Sequence, residues 1–87
     1  MGRSVAVRPN PYTPVTVRRM KESVATAIVS TMDQRGLKAS DVHRHYPSVR
    51  AGDISNLRAG DHDLYGLPRL IAIAEAVGLS FKLELAA

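Results

Sequence analysis

Residues 37–60 read LKASDVHRHYPSVRAGDISNLRAG, and two short helical patterns meet in this stretch at Pro47. Ser40 is a residue type that caps helices, and Asp41 falls where a carboxylate suits a first turn, so a helix is predicted over 40–46. Pro47 lacks the N–H that a further turn of that helix needs, and the chain must change direction there. A third helix then starts at Ser48 or Arg50 and stops near Gly60, with Ile54 and Leu57 turned inward. Ala51, Gly52, Ser55 and Asn56 are left on its outer side. Small residues at the start of a helix let its backbone approach base edges, and the DNA major groove admits one helix. The arrangement predicted is a helix-turn-helix.

Upstream of this stretch, Val17, Met20, Val24, Ile28 and Met32 recur at spacings of three and four, which predicts a first helix from Val15 or Thr16 to Gly36. Thr16 is its expected N-cap, Gly36 its stop, and Arg35 puts a cation in its last turn. Downstream, the Gly- and Asp-rich residues 59–66 predict a loop. Leu67, Leu70, Ile71, Ala74 and Val77 form the expected buried stripe of a last helix, with Pro68 in its first turn and Gly78 closing it. Past Gly78 the period becomes two, with Leu79, Phe81, Leu83 and Leu85 opposite Ser80, Lys82, Glu84 and Ala86. That alternation describes a half-buried strand. A lone strand has open edges, so it must pair with the Val5 segment, with the same strand of a second subunit or with a partner protein; pairing across a homodimer, with the Val5 and Val7 segment added at the edge, is favoured. The expected fold is mainly α: a four- to five-helix helix-turn-helix domain with a short C-terminal β-strand.

A chain of 87 residues fits one domain with a thin core, which makes burial against a second copy favourable. Residues 1–15 form a basic, proline-rich arm, because Pro9, Pro11 and Pro14 forbid a helix, and residues 16–87 form the domain. The net charge is +4, and Arg3, Arg8, Arg18, Arg19 and Lys21 all precede the first acidic residue, Glu22. A basic arm ahead of a folded body is a footprint of phosphate binding, and equally of a solvated terminus. Without cysteine there are no disulfides and no thiolate metal sites. No apolar run is long enough for a signal peptide or a membrane span, so a soluble cytoplasmic protein is expected. His43 and His45 are two residues apart and point to opposite sides of a helix, while His62 sits between Asp61 and Asp63 in a loop. No nucleophile–base or carboxylate pair has a useful spacing, and the expectation is a binding protein with no catalytic residues, no metal and no cofactor.

Leu37, Val42, Tyr46 and the run ISNLRAG at 54–60 resemble the Cro/repressor-type, or XRE, family of helix-turn-helix proteins. The run LIAIAEAVGL at 70–79 is similar to the helix that closes that domain, and SFKLEL at 80–85 to the terminal strand of its antitoxin-like branch. The resemblance covers about residues 17–85. It implies a sequence-specific regulator of transcription, a repressor that binds double-stranded DNA as a homodimer on a palindromic operator. It also implies an alternative, an antitoxin that neutralises a cognate toxin and represses its own operon. Residues 4–14, extended and with free backbone groups, would then be the toxin clamp. Three features depart from the family pattern: His43 replaces a small Ala, Pro47 replaces the turn Gly, and residues 47–60 are one longer than usual. One residue of helix is a rotation of about 100°, so the extra residue bears on which side of the third helix faces the DNA.

Arg50 is the first candidate for DNA contact, able to reach a guanine or a phosphate, and Asn56 can pair two-fold with an adenine. Ala51, Gly52 and Ser55 complete the small outer surface. Asp53 is expected to cap the helix start, pair with Arg50, or accept from a cytosine amino group. Lys38, Ser40, Arg44 and Arg58 flank the motif and suit phosphate positioning, and Arg3 and Arg8 could enter a minor groove as an arm. For each charged residue the competing reading is an ordinary solvated side chain.

Overall fold

The computed structural model describes residues 14–82, which fold into four α-helices joined by short turns. In chain order these are α1 (Val15–Arg35), α2 (Ala39–His45), α3 (Ala51–Arg58) and α4 (Leu67–Ala76), with a 3₁₀ turn at His62–Leu64. Helix α1 is the spine: α4 and α3 pack on it, and α2 packs on α3.

Pro14 caps α1 with φ −57° and ψ 143°, and its carbonyl accepts from the Arg18 N–H at 3.2 Å. The ring fixes φ near the helical value already, so the helix starts at Val15 and Thr16 lies within its first turn instead of capping it. At the other end Gly36 takes φ 64°, and the Leu37 N–H reaches back to the Met32 carbonyl at 2.8 Å. This is the left-handed stop that glycine supplies without strain. The buried side of α1 is Val24, Ala25, Ile28, Thr31 and Met32. The predicted stripe therefore holds from Val24 onward but not before it, since Val17 is half-buried and Met20 is exposed. The first turns of α1 carry no core residue.

On α4, Leu70, Ile73, Ala74 and the following Val77 are buried, whereas Leu67 and Ile71 are only half-buried. The core stripe thus runs 70, 73, 74, 77, a regular helical face rotated slightly from the predicted one, with Ile73 in the place expected for Ile71. Pro68 sits in the first turn, and Gly78 ends the helix at φ 97° while the Leu79 N–H returns to the Ala74 carbonyl at 3.0 Å. The Arg35 guanidinium donates to the Val77 carbonyl at 2.9 Å, fastening the ends of α1 and α4 together.

Ile28, Met32, Val49, Leu70 and Ile73 are the largest fully buried side chains. No helix among the described residues is long and apolar enough to cross a membrane. No strand occurs among the described residues either. The expected terminal strand lies partly outside them, at Leu83 and Leu85, as do the Val5 segment, Arg3 and Arg8.

Candidate nucleic-acid interface

Helices α2 and α3 begin with the same local pattern, Lys38-Ala39-Ser40-Asp41 and Arg50-Ala51-Gly52-Asp53. In each, the basic residue is the N-cap and the Asp three positions on accepts its backbone N–H, at 2.8 Å for Lys38 and Asp41 and at 3.0 Å for Arg50 and Asp53. The aspartates thereby satisfy donors that helix starts leave open, and they suit the positive end of the helix dipole. Ser40 does not cap α2; it lies exposed in the first turn because the helix starts at Ala39.

The turn between the helices closes on two side chains, Val49 and His43. Val49 is fully buried, plugging the space beneath the turn, and its N–H bonds the Tyr46 carbonyl at 2.9 Å. The Val49 carbonyl lies 2.8 Å from His43 Nδ1, a contact that requires the Nδ1–H tautomer as donor. A small residue at 43 has no such donor, so this closure of the turn depends on His43. Neither Val49 as core nor His43 as a brace was predicted, since both depend on how the turn closes.

Helix α3 keeps the expected register. Ile54 and Leu57 are buried, while Ala51, Gly52, Ser55 and Arg58 are exposed. A Cβ placed on Gly52 would meet nothing within 4 Å, so the head of the helix is open to close approach. Arg50, Ala51 and Ser40 line an open groove of about 590 Å³ between α2 and α3, together with Ala39, His43 and Pro47. Among the described residues, neither the Arg50 nor the Lys38 side chain is held in a salt bridge. Arg44, exposed, pairs with the half-buried Asp41 at 3.6 Å, and Arg58 with Asp33 of α1 at 3.0 Å, both exposed; with the cations open to solvent such contacts are weak and exchangeable.

Behind this surface lies a polar network. Tyr65 donates its hydroxyl to Asp53 Oδ1 at 2.8 Å, and Asn56 Nδ2 donates to the Tyr65 oxygen at 3.1 Å. Arg69 of α4 approaches Asp53 Oδ2 at 3.5 Å, donates to Ser48 Oγ at 2.9 Å and to the Ser48 carbonyl, and lies 5.8 Å from the Tyr46 ring centre. Burial tends to raise the Asp53 pKa, but the Arg50 N–H, the Tyr65 hydroxyl and the Arg69 and Arg50 cations outweigh it, and the net shift is downward. Burial, with Asp53 adding to it, raises the Tyr65 pKa above its usual value against the opposing Asn56 bond.

Both oxygens of Asp53 are therefore engaged inside the protein, in the cap and the network, and its partner at Arg50 is the backbone and not the guanidinium. Asn56 is half-buried, more enclosed than the sequence suggested. Arg69 and Tyr65, which no sequence motif marks, hold the turn and α3 in place. Arg3 and Arg8 lie outside the described residues. Among the described residues no group of three or more His, Asp or Glu is placed to hold a metal ion.

Comparison with family models, curated proteins and solved structures finds no match for this chain.

Proposed function

We propose that the protein is a sequence-specific regulator of transcription, a repressor that binds double-stranded DNA as a homodimer on a palindromic operator in the bacterial or phage cytoplasm. The observation that carries this reading is the open head of α3. Ala51, Gly52 and Ser55 are all exposed on a helix anchored by buried Ile54 and Leu57, beside an Arg50 that forms no salt bridge among the described residues. Arg50, Lys38, Arg44 and Arg58 neutralise phosphates, while Ser55 and Asn56 meet base edges. The salt bridges of Arg44 and Arg58 exchange a carboxylate for a phosphate oxygen on binding, with little cost because both cations are exposed.

The dimer has a suitable surface. Val15, Met20 and Phe81 are large apolar residues left exposed, and Met20 and Phe81 share one apolar groove of about 460 Å³. Phe81 is also the point from which the predicted strand continues. The toxin-clamp alternative rested on residues 4–14, nearly all outside the described residues, and no specific observation favours it.

Selection from duplexes randomised at their centre tests the reading. The full chain should enrich one dyad-symmetric motif with half-sites about 34 Å apart, or a multiple of that distance. Its affinity should fall with salt with a log–log slope of about −2 to −4 per subunit, as expected if two to four of the named cations each meet one phosphate. Equal affinity for every duplex, or indifference to salt, would overturn the proposal.

A further inference from the structure

We infer that Tyr65 is a specificity-determining positioning residue: through one hydrogen bond it fixes which way the Asn56 amide faces, and so which base pair Asn56 accepts. The inference rests on the DNA-reading role proposed for α3 and adds a residue outside that helix to it.

The argument follows the hydrogens. An ionised Asp53 can only accept, so the hydrogen in its 2.8 Å contact belongs to Tyr65. A tyrosine hydroxyl has one hydrogen, so toward Asn56, 3.1 Å away, the same oxygen can only accept. The Asn56 NH₂ must therefore face Tyr65, because the opposite flip would set lone pair against lone pair. Asp53 thus dictates the orientation of an amide through two consecutive bonds, and such chains reinforce each other.

The parts of this relay are rigid. Asp53 is held by the α3 cap and by Arg69, and Tyr65 packs against the core from just beyond the 3₁₀ turn. One N–H of Asn56 is used on Tyr65; Oδ1 and the second N–H remain. An acceptor and a donor side by side complement the major-groove edge of adenine, which presents an N6–H₂ donor and an N7 acceptor. A freely rotating Asn would present this pair in either order. The relay holds it in one.

The test runs wild type, Tyr65→Phe and Asn56→Ala through the same randomised-duplex selection, with melting curves for each. Tyr65→Phe keeps the ring and removes only the hydroxyl. It should keep the salt slope and the rest of the motif, but lose about tenfold in preference at one base pair per half-site, within the roughly 5- to 150-fold that a bidentate pair supplies. Asn56→Ala should lose the preference at that same base pair, and adding Tyr65→Phe to it should change nothing more. Unchanged preference at every position in Tyr65→Phe overturns the inference, as does a uniform loss of affinity across all sequences. If wild type itself enriches no sequence, the DNA-reading role falls and the inference falls with it, a result distinguishable because the first two failures leave wild-type selection intact. Should Tyr65→Phe not fold, nuclear Overhauser contacts between the Asn56 amide hydrogens and the Tyr65 ring in wild type decide the matter. Their presence supports the relay and their absence overturns it.

Discussion

Replacing Ile73 with Ala should lower the free energy of unfolding by about 2–5 kcal/mol, the usual cost of emptying a fully enclosed aliphatic site. Ile73 is completely buried, on the face that α4 shares with Leu70 and Ala74. Domains of this size hold only about 5–15 kcal/mol in total, so the variant should lose a large part of its stability and melt some 10–30 °C lower. Ile71→Ala is the internal control. Ile71 is half-buried, and its truncation should cost about 1 kcal/mol or less, because little enclosed volume is vacated. Urea unfolding of the two variants side by side checks this. Equal losses, or a larger loss for Ile71, would contradict the packing of α4.

The second large effect is expected at Asp53. Asp53→Ala removes the acceptor for the Arg50 N–H, the acceptor for the Tyr65 hydroxyl and the counter-charge of Arg69 at once. Loss of a helix-start acceptor costs about 0.5–2 kcal/mol, and a partly enclosed hydroxyl left without its partner adds to it, so a total of about 1.5–3 kcal/mol is expected near neutral pH. The pH dependence has a defined sign. The folded Asp53 carboxyl titrates lower than in the unfolded chain, so its contribution is fully present above the ordinary carboxylate range. It is lost as pH falls through the lowered folded value. Wild type and Asp53→Ala should thus differ by a constant amount from neutral pH down to about pH 5, and the gap should narrow below about pH 4. Denaturant melts across that range provide the check, and a gap that widens in acid would refute the ionised role of Asp53.

How far these features were legible depends on the distance over which each is specified. Helix α1 and its Gly36 stop follow from periodicity and one glycine, both local signals. The inward turn of Ile54 and Leu57 was legible for the same reason. On α4 the run LIAIA offers apolar residues on several sides, so periodicity alone could not choose Ile73 over Ile71; packing against α1 makes that choice. Both Asp caps carried a local signal, an Asp at the third helical position, but only the one at Asp53 was anticipated. The Arg69 contacts join residues 21 positions apart, and Tyr65 reaches Asp53 across 12. Nothing in local spacing encodes such pairs, and those of Arg69 exist only once α4 has docked. Val49 was hidden because a turn residue is normally expected at the surface.

The open side of α3 is the claim on which the functional reading stands, and Ser55→Glu addresses it most directly. Ser55 is exposed, so the substitution should change stability by no more than about 0.5 kcal/mol. The matched control is Ser30→Glu, also exposed, on the side of α1 turned away from the core. Duplex affinity of both variants should be measured by fluorescence anisotropy on the motif that wild type selects. A carboxylate among phosphates and base edges should weaken Ser55→Glu by about tenfold or more while Ser30→Glu stays near wild type. Equal affinity for the two variants, both folded, would contradict the placement of α3 in the groove.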